Sequence, residues 1–286
     1  MVNPLFFALV SYFFWAIGDI FGTVATRKLG GFSTTVYSLA LRLIIFSLYL
    51  PFAISYFKYL TIDLFLIIVA IAIIGLIGFV TFNEGMKIGN PALVGTIAGA
   101  FPFLTVILSV IFFKEVLTLQ QIIIIVIILV GVALSSFDFN LLKQNKALHK
   151  GVGLALVTMI TWGVWFAFIK IPVQKIGWFL PNYIIYGSFP LVLLFMKARK
   201  IKLIPLTRTN GAIPMIVAAV LLGIAELSYN LGITYTNTSI IAPIAGAYPT
   251  LFAVLAFLVF KEPLTKQQIT GIIITLIGIV FLGSIS

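Results

Sequence analysis

Runs of Ile, Leu, Val and Phe, each about 20 residues long and bounded by polar or turn-forming residues, follow one another along this chain. About 20 residues of helix rise roughly 30 Å, the thickness of a bilayer's hydrocarbon core. The runs fall near 4–26, 34–57, 62–82, 91–113 and 119–137, and then near 151–171, 178–196, 213–234, 238–260 and 267–285. They lack the polar–apolar alternation that the strands of a membrane barrel require. The pattern predicts an all-α polytopic membrane protein of ten transmembrane helices. Turn chemistry marks several breaks, at Gly30-Gly31, Gly89-Asn90-Pro91, Ile204-Pro205-Leu206 and Lys261-Glu262-Pro263. The connections are mostly short, which predicts one compact bundle.

The pattern also repeats itself. Displaced by 147 positions, Ile97-Ala98-Gly99-Ala100-Phe101-Pro102 lies on Ile244-Ala245-Gly246-Ala247-Tyr248-Pro249. Trp15 then meets Trp162, Asn83 meets Asn230, Lys114-Glu115 meets Lys261-Glu262, and Gln120-Gln121 meets Gln267-Gln268. A unit this long is a duplicated domain rather than a solenoid repeat, and two units are expected at 1–138 and 150–286. Five crossings per unit return the chain to the opposite face. The second unit must therefore enter the membrane upside down, giving an inverted-topology repeat with a binding site near the midplane.

Composition fits lipid as the solvent. Of 286 residues, 62% are hydrophobic and 9% charged, with a mean hydropathy of +1.23. The apolar run after Met1-Val2-Asn3-Pro4 has no positive leader and is long enough to span, so it is expected to remain as a helix. The net charge of +11 sorts by face: 13 Lys and Arg lie in the loops after spans one, three, five, seven and nine, against 4 on the other face, with Arg42 inside span two. Positive-inside bias then places both termini outside, and it accounts for the charge without nucleic acid as a partner. The expected location is the plasma (inner) membrane of a prokaryote. With no cysteine, no phosphate-binding glycine loop and one histidine, His149 in the central loop, no catalytic or metal cluster emerges. Neither a cofactor nor enzymatic activity is expected.

In each half an early tryptophan, a polar residue with glycine closing the third run, and a proline midway in the fourth run precede a Phe-Lys-Glu-x-Leu-Thr end, at Phe113–Thr118 and Phe260–Thr265. This arrangement resembles the EamA-type repeat of the drug/metabolite transporter superfamily. The resemblance covers essentially the whole chain and implies ten helices, a cavity lined by spans one, three, four, six, eight and nine, and secondary transport. Many members of that family are described with cytoplasmic termini, opposite to what the charge bias of this chain predicts.

Residues present in both halves are expected to serve the shared scaffold, and polar residues present in one half only are better ligand candidates. Pro102 and Pro249 read as bends or hinges midway along their helices. Lys114 and Glu115 read as interfacial charges at a helix end, and Lys170 as a snorkelling lysine. Asp19, Arg42 and Glu226 are ionisable residues inside spans, and their repeat partners are Phe166, Phe189 and Phe79. A charge in a span costs on the order of 3 kcal/mol on insertion scales and usually faces a cavity or a partner. Asp19 and Glu226 are expected at the site, holding a cationic or zwitterionic substrate or exchanging a proton, and Arg42 is expected to be structural. Trp15, Asn83, Trp162, Trp165, Tyr229, Asn230 and Tyr248 complete the candidate lining. The sequence thus predicts a secondary active exporter of small metabolites such as amino acids or amines, working by alternating access, with protons as a candidate coupling ion and a monomer or dimer in the bilayer. A sugar, nucleotide-sugar or drug transporter of the same superfamily, a channel and a lipid flippase stay open as alternatives.

Overall fold

The computed structural model describes residues 3–89, 91–136, 146–208, 210–261 and 264–285, and among them it contains helices and no strands. Span one is Pro4–Leu29. Span two begins as Gly31–Phe46 and continues in short helical turns to Tyr59. Spans three and five are Ile62–Ile88 and Leu119–Ser136. Span six runs as Lys146–Phe168 and Lys170–Ile176, and span seven as Leu180–Tyr186 and Phe189–Ala198. Spans eight and ten are Ala212–Tyr235 and Lys266–Ser284. Seven of these, spans one, two, three, six, eight, nine and ten, are long and apolar enough to cross a bilayer unaided. Residues such as Leu48, Ile62 and Val280 are more than two-thirds exposed, as side chains turned to lipid must be.

Spans four and nine are broken, which corrects the expectation of a proline midway in a continuous helix. Span four is Pro91–Ala98 followed by Phe101–Phe113, and span nine is Thr238–Ala245 followed by Pro249–Phe260. Each proline occupies the first turn of the second half-helix, where its missing N–H leaves no bond unmade. The two breaks pack on each other. A Cβ added to Gly99 would overlap the Pro249 ring, and one added to Gly246 would overlap the Pro102 ring. Glycine is required here by close approach, and the contact joins the halves partway along spans four and nine.

Local signals explain why the repeated motifs recur. Thr118 and Gln121 exchange hydrogen bonds of 3.0 and 3.2 Å ahead of span five, and Thr265 and Gln268 do so at 2.8 and 3.2 Å ahead of span ten. These are capping boxes, each satisfying two otherwise orphaned N–H groups. Lys114 and Lys261 both end their helices in the left-handed conformation, with φ of 56° and 61°. Gly30 and Gly177, at φ 75° and 78° with extended ψ, turn span one into two and span six into seven, a region open almost only to glycine.

Pairing follows the same symmetry. Span one packs along span eight, span six along span three, and span five against span ten. Ser11 donates to the Ala225 carbonyl at 2.8 Å, while Thr158, its repeat partner, donates to the Gly78 carbonyl at 3.4 Å. Large and small residues trade places between the halves: Gly18 of span one lies against Leu222, whereas Trp165 of span six, the repeat partner of Gly18, lies against Gly75. An indole on one side and a glycine on the other make the interior unequal, and that inequality shapes the site.

Candidate functional site

Between the two halves lies a narrow cavity of about 50 Å³. It starts at the helix breaks, at Phe101 and Tyr248. From there it extends between the C-terminal parts of spans one and three and the N-terminal parts of spans two and eight, toward the face that carries the loops after spans one, three and seven. Its floor is aromatic. Trp15 lies 5.1 Å from Phe166 and 5.7 Å from Tyr248 between ring centroids, and Phe101 stacks on Phe166 at 4.6 Å. Phe79 packs on Trp165 at 5.1 Å and Phe82 on Trp162 at 4.8 Å.

Three ionisable side chains enter this aromatic space, each from a different span. Arg42, 1% exposed, places Nη1 2.6 Å from Glu226 Oε1, and the other carboxylate oxygen of Glu226 accepts a 2.9 Å bond from the Tyr186 hydroxyl. The guanidinium carbon also sits 5.5 Å from the Phe79 ring centre and 5.7 Å from that of Tyr186. The ion pair crosses between the repeats, since Arg42 belongs to the first half and Glu226 and Tyr186 to the second. Asp19 is 6% exposed and lies beside Tyr248. Among the described residues no cation pairs with it, because Arg42 is engaged by Glu226.

Unmade hydrogen bonds concentrate in the same cavity. Arg42 Nε, Thr34 Oγ1, Trp162 Nε1 and Trp165 Nε1 are buried without a partner, and all four residues line it, while the Tyr248 hydroxyl turns to Asp19. Buried polar atoms normally find partners, so four donors left open around one space mark a place for an acceptor-bearing ligand. Asp19 supplies the opposite character, an acceptor for a cation. The lining therefore suits a small molecule that carries both a positive group and hydrogen-bond acceptors.

Of the residues singled out in the sequence, Trp15, Asp19, Asn83, Trp162, Trp165, Glu226 and Tyr248 line the cavity. Tyr229 and Asn230 stand behind its wall. The Tyr229 hydroxyl donates to the Phe166 carbonyl at 3.2 Å, and Asn230 donates to the Trp178 carbonyl at 2.9 Å. Asn83 faces the cavity with its amide engaged, accepting from Thr26 at 3.1 Å and donating to Thr35 at 3.0 Å. Both asparagines tie their helix to neighbours: Asn83, expected in the lining, is there with its amide engaged, and Asn230, also expected there, is not. Pro102 and Pro249 flank the cavity floor through the helix breaks. Arg42, expected to be structural, is both paired and cavity-lining.

Sequence reasoning missed Tyr186, Thr34 and Ser38. Their repeat partners are Leu39, Pro181 and Ile185. Each is polar in one half only, so the asymmetry that marked Asp19 and Glu226 carried the signal for these three as well. Lys170 and Glu115 depart from expectation more sharply. Both are 7% exposed, and they form a buried ion pair with each other, away from the cavity.

Comparison with known proteins agrees with the repeat. A model of the EamA-like transporter family matches residues 3–137 and again residues 149–284. A protein of Methanocaldococcus jannaschii described as uncharacterized is 31% identical over 130 residues, which are 46% of this chain and 93% of that protein. Among solved structures, one titled only as the crystal structure of a protein superposes with a TM-score of 0.76 at 14% identity, covering 97% of this chain and 95% of the other. That likeness speaks for the fold.

Proposed function

Because the chain belongs to the EamA-like transporter family of the drug/metabolite transporter superfamily, we propose that this membrane transporter carries small amino acids or amines by alternating access, with Asp19 as the residue that binds the cationic group or a coupling proton. The observation that carries this reading is a buried carboxylate without a cation partner in a cavity between inverted halves. Intramembrane acids in such places mark substrate or proton pathways. Trp15, one helical turn before Asp19, offers a ring face to an ammonium group. The open donors of Trp162, Trp165 and Arg42 suit a carboxylate or carbonyl of the same substrate. Glu226 is bound by Arg42 and Tyr186, which supports a role in holding the cavity and makes Asp19 the better candidate for proton exchange. The charge bias of the loops supports a cavity that faces the cytoplasm in this conformation, with both termini outside, which suits loading of substrate for export.

Transport of radiolabelled amino acids and amines into proteoliposomes, with and without a pH gradient, tests the reading. Asp19→Asn is expected to abolish flux or its dependence on the gradient, and Glu226→Gln to weaken flux while retaining that dependence. Undiminished, pH-dependent flux in Asp19→Asn would remove Asp19 from the site.

A further inference from the structure

On the side of the helix breaks away from the cavity, Glu115, in the connection after span four, reaches across to the other half. There it accepts hydrogen bonds from the backbone N–H groups of Thr238 at 3.0 Å and Ser239 at 2.8 Å, and it pairs with Lys170 of span six. Every donor to this carboxylate belongs to the second repeat, while the carboxylate belongs to the first. The backbone donors are the open N–H groups at the start of the helix Thr238–Ala245, so the helix dipole adds to the attraction. The methylene stem of Lys170 is buried with its ammonium 5.5 Å from the Phe113 ring centre.

The opposite face differs at two of these positions. Under the 147-residue register the counterpart of Lys170 is Thr23, which is uncharged, and the counterpart of Thr238 is Pro91, which has no N–H. Thr23 lines the cavity instead. One face is thus closed by a charged cross-link between the halves; on the other, Arg27, one turn beyond Thr23, lies over the Phe260 ring at 4.9 Å, and the backbone donor at position 91 is missing.

We propose that Glu115, held by Lys170 and the start of span nine, is a latch that keeps the face opposite the cavity closed and biases the transporter toward the conformation described here. The proposal rests on the alternating-access reading above. Rocking one half against the other to open the closed face must pull Glu115 from its three donors, and closing the cavity face cannot restore the backbone donor that Pro91 lacks. Lys170 and Glu115 act on the conformational balance and not on the substrate.

The chain has no cysteine, so single cysteines report accessibility directly. Ile240→Cys, buried on the latched side, and Met215→Cys, lining the cavity, serve as probes. Their maleimide reaction rates are measured in full-length protein in nanodiscs, alone and combined with Lys170→Met. Loss of one charge-assisted contact is expected to speed reaction at the Ile240→Cys probe by about tenfold and to slow it at the Met215→Cys probe. The reciprocal slowing separates a shift between two states from local loosening. Glu115→Gln, which keeps an oxygen for the Thr238 and Ser239 N–H groups, must move both probes in the same directions. Unchanged rates, or rates that rise at both probes, overturn the latch. If the Ile240→Cys probe never reacts without Lys170→Met but reacts with it, the latch stands. If it reacts under neither condition while the Met215→Cys probe reacts in both, alternating access itself fails.

Discussion

Removing the carboxylate of Glu226 while leaving Arg42 in place exposes the energetics of the cavity most directly. The guanidinium is 1% exposed, Nη1 lies 2.6 Å from Glu226 Oε1, and Nε has no partner. Glu226→Leu therefore strands a cation that cannot shed its proton. Breaking a buried pair in this way costs about 3–5 kcal/mol, because the remaining charge is uncompensated. Arg42→Met is expected to cost less, about 1–3 kcal/mol, since the remaining carboxyl can take up a proton and keeps the Tyr186 hydroxyl as a donor. In the Arg42→Met/Glu226→Leu double variant no charge is stranded, and a well-packed apolar replacement of a buried pair is often neutral. The double variant should thus be more stable than Glu226→Leu alone. Unfolding of purified protein in mixed micelles, read for the four members of the cycle, gives the coupling. A double variant as unstable as the sum of the two single losses would show that the charges do not depend on each other, and the reasoning would fall.

Three further outcomes follow from local geometry. Gly99→Ala and Gly246→Ala each push a methyl into a proline ring of the other half, and each is expected to cost about 1–3 kcal/mol in the same unfolding assay; tolerance of both would refute the close contact of the breaks. Thr265→Ala removes the capping box of span ten and should cost about 1 kcal/mol, with Thr118→Ala costing a similar amount at span five. Burial alone would raise the pKa of Glu115, but the bonds from Lys170 and Ser239 and the nearby ammonium charge hold it below the usual carboxylate range. A carboxylate depressed in the folded state contributes stability that is fully present above its unfolded pKa of about 4.3 and is lost as pH falls through the lower folded value. Closure of the latched face, read by the Ile240→Cys probe, is accordingly expected to be constant from about pH 8 to pH 5; opening within that window would show that Glu115 is not held as described.

Much of the architecture was legible along the chain because each helix satisfies its own backbone bonds and must match the bilayer's thickness. The apolar runs marked the ten spans to within a few residues. The odd number per repeat required inversion, and Thr118 and Thr265, shared by both halves, form the same cap in each. These are local or symmetric properties. They depend on sequence spacing and on the solvent, and both can be read from the sequence.

What only the tertiary structure decided is which groups meet. Arg42 had an acid in each half available to it, and packing gave it Glu226 and Tyr186 and left Asp19 without a cation. Lys170 read as a snorkelling lysine because lysine near a helix end usually reaches the interface; instead it turned inward to a carboxylate 55 positions earlier in the chain. Pro102 and Pro249 read as bends, and contact with the opposite glycine turned each bend into a break. Ion pairing and close packing depend on distances of a few ångströms between segments far apart in sequence. Those distances are set by how the two inverted halves seat on each other, which no periodicity within either half encodes.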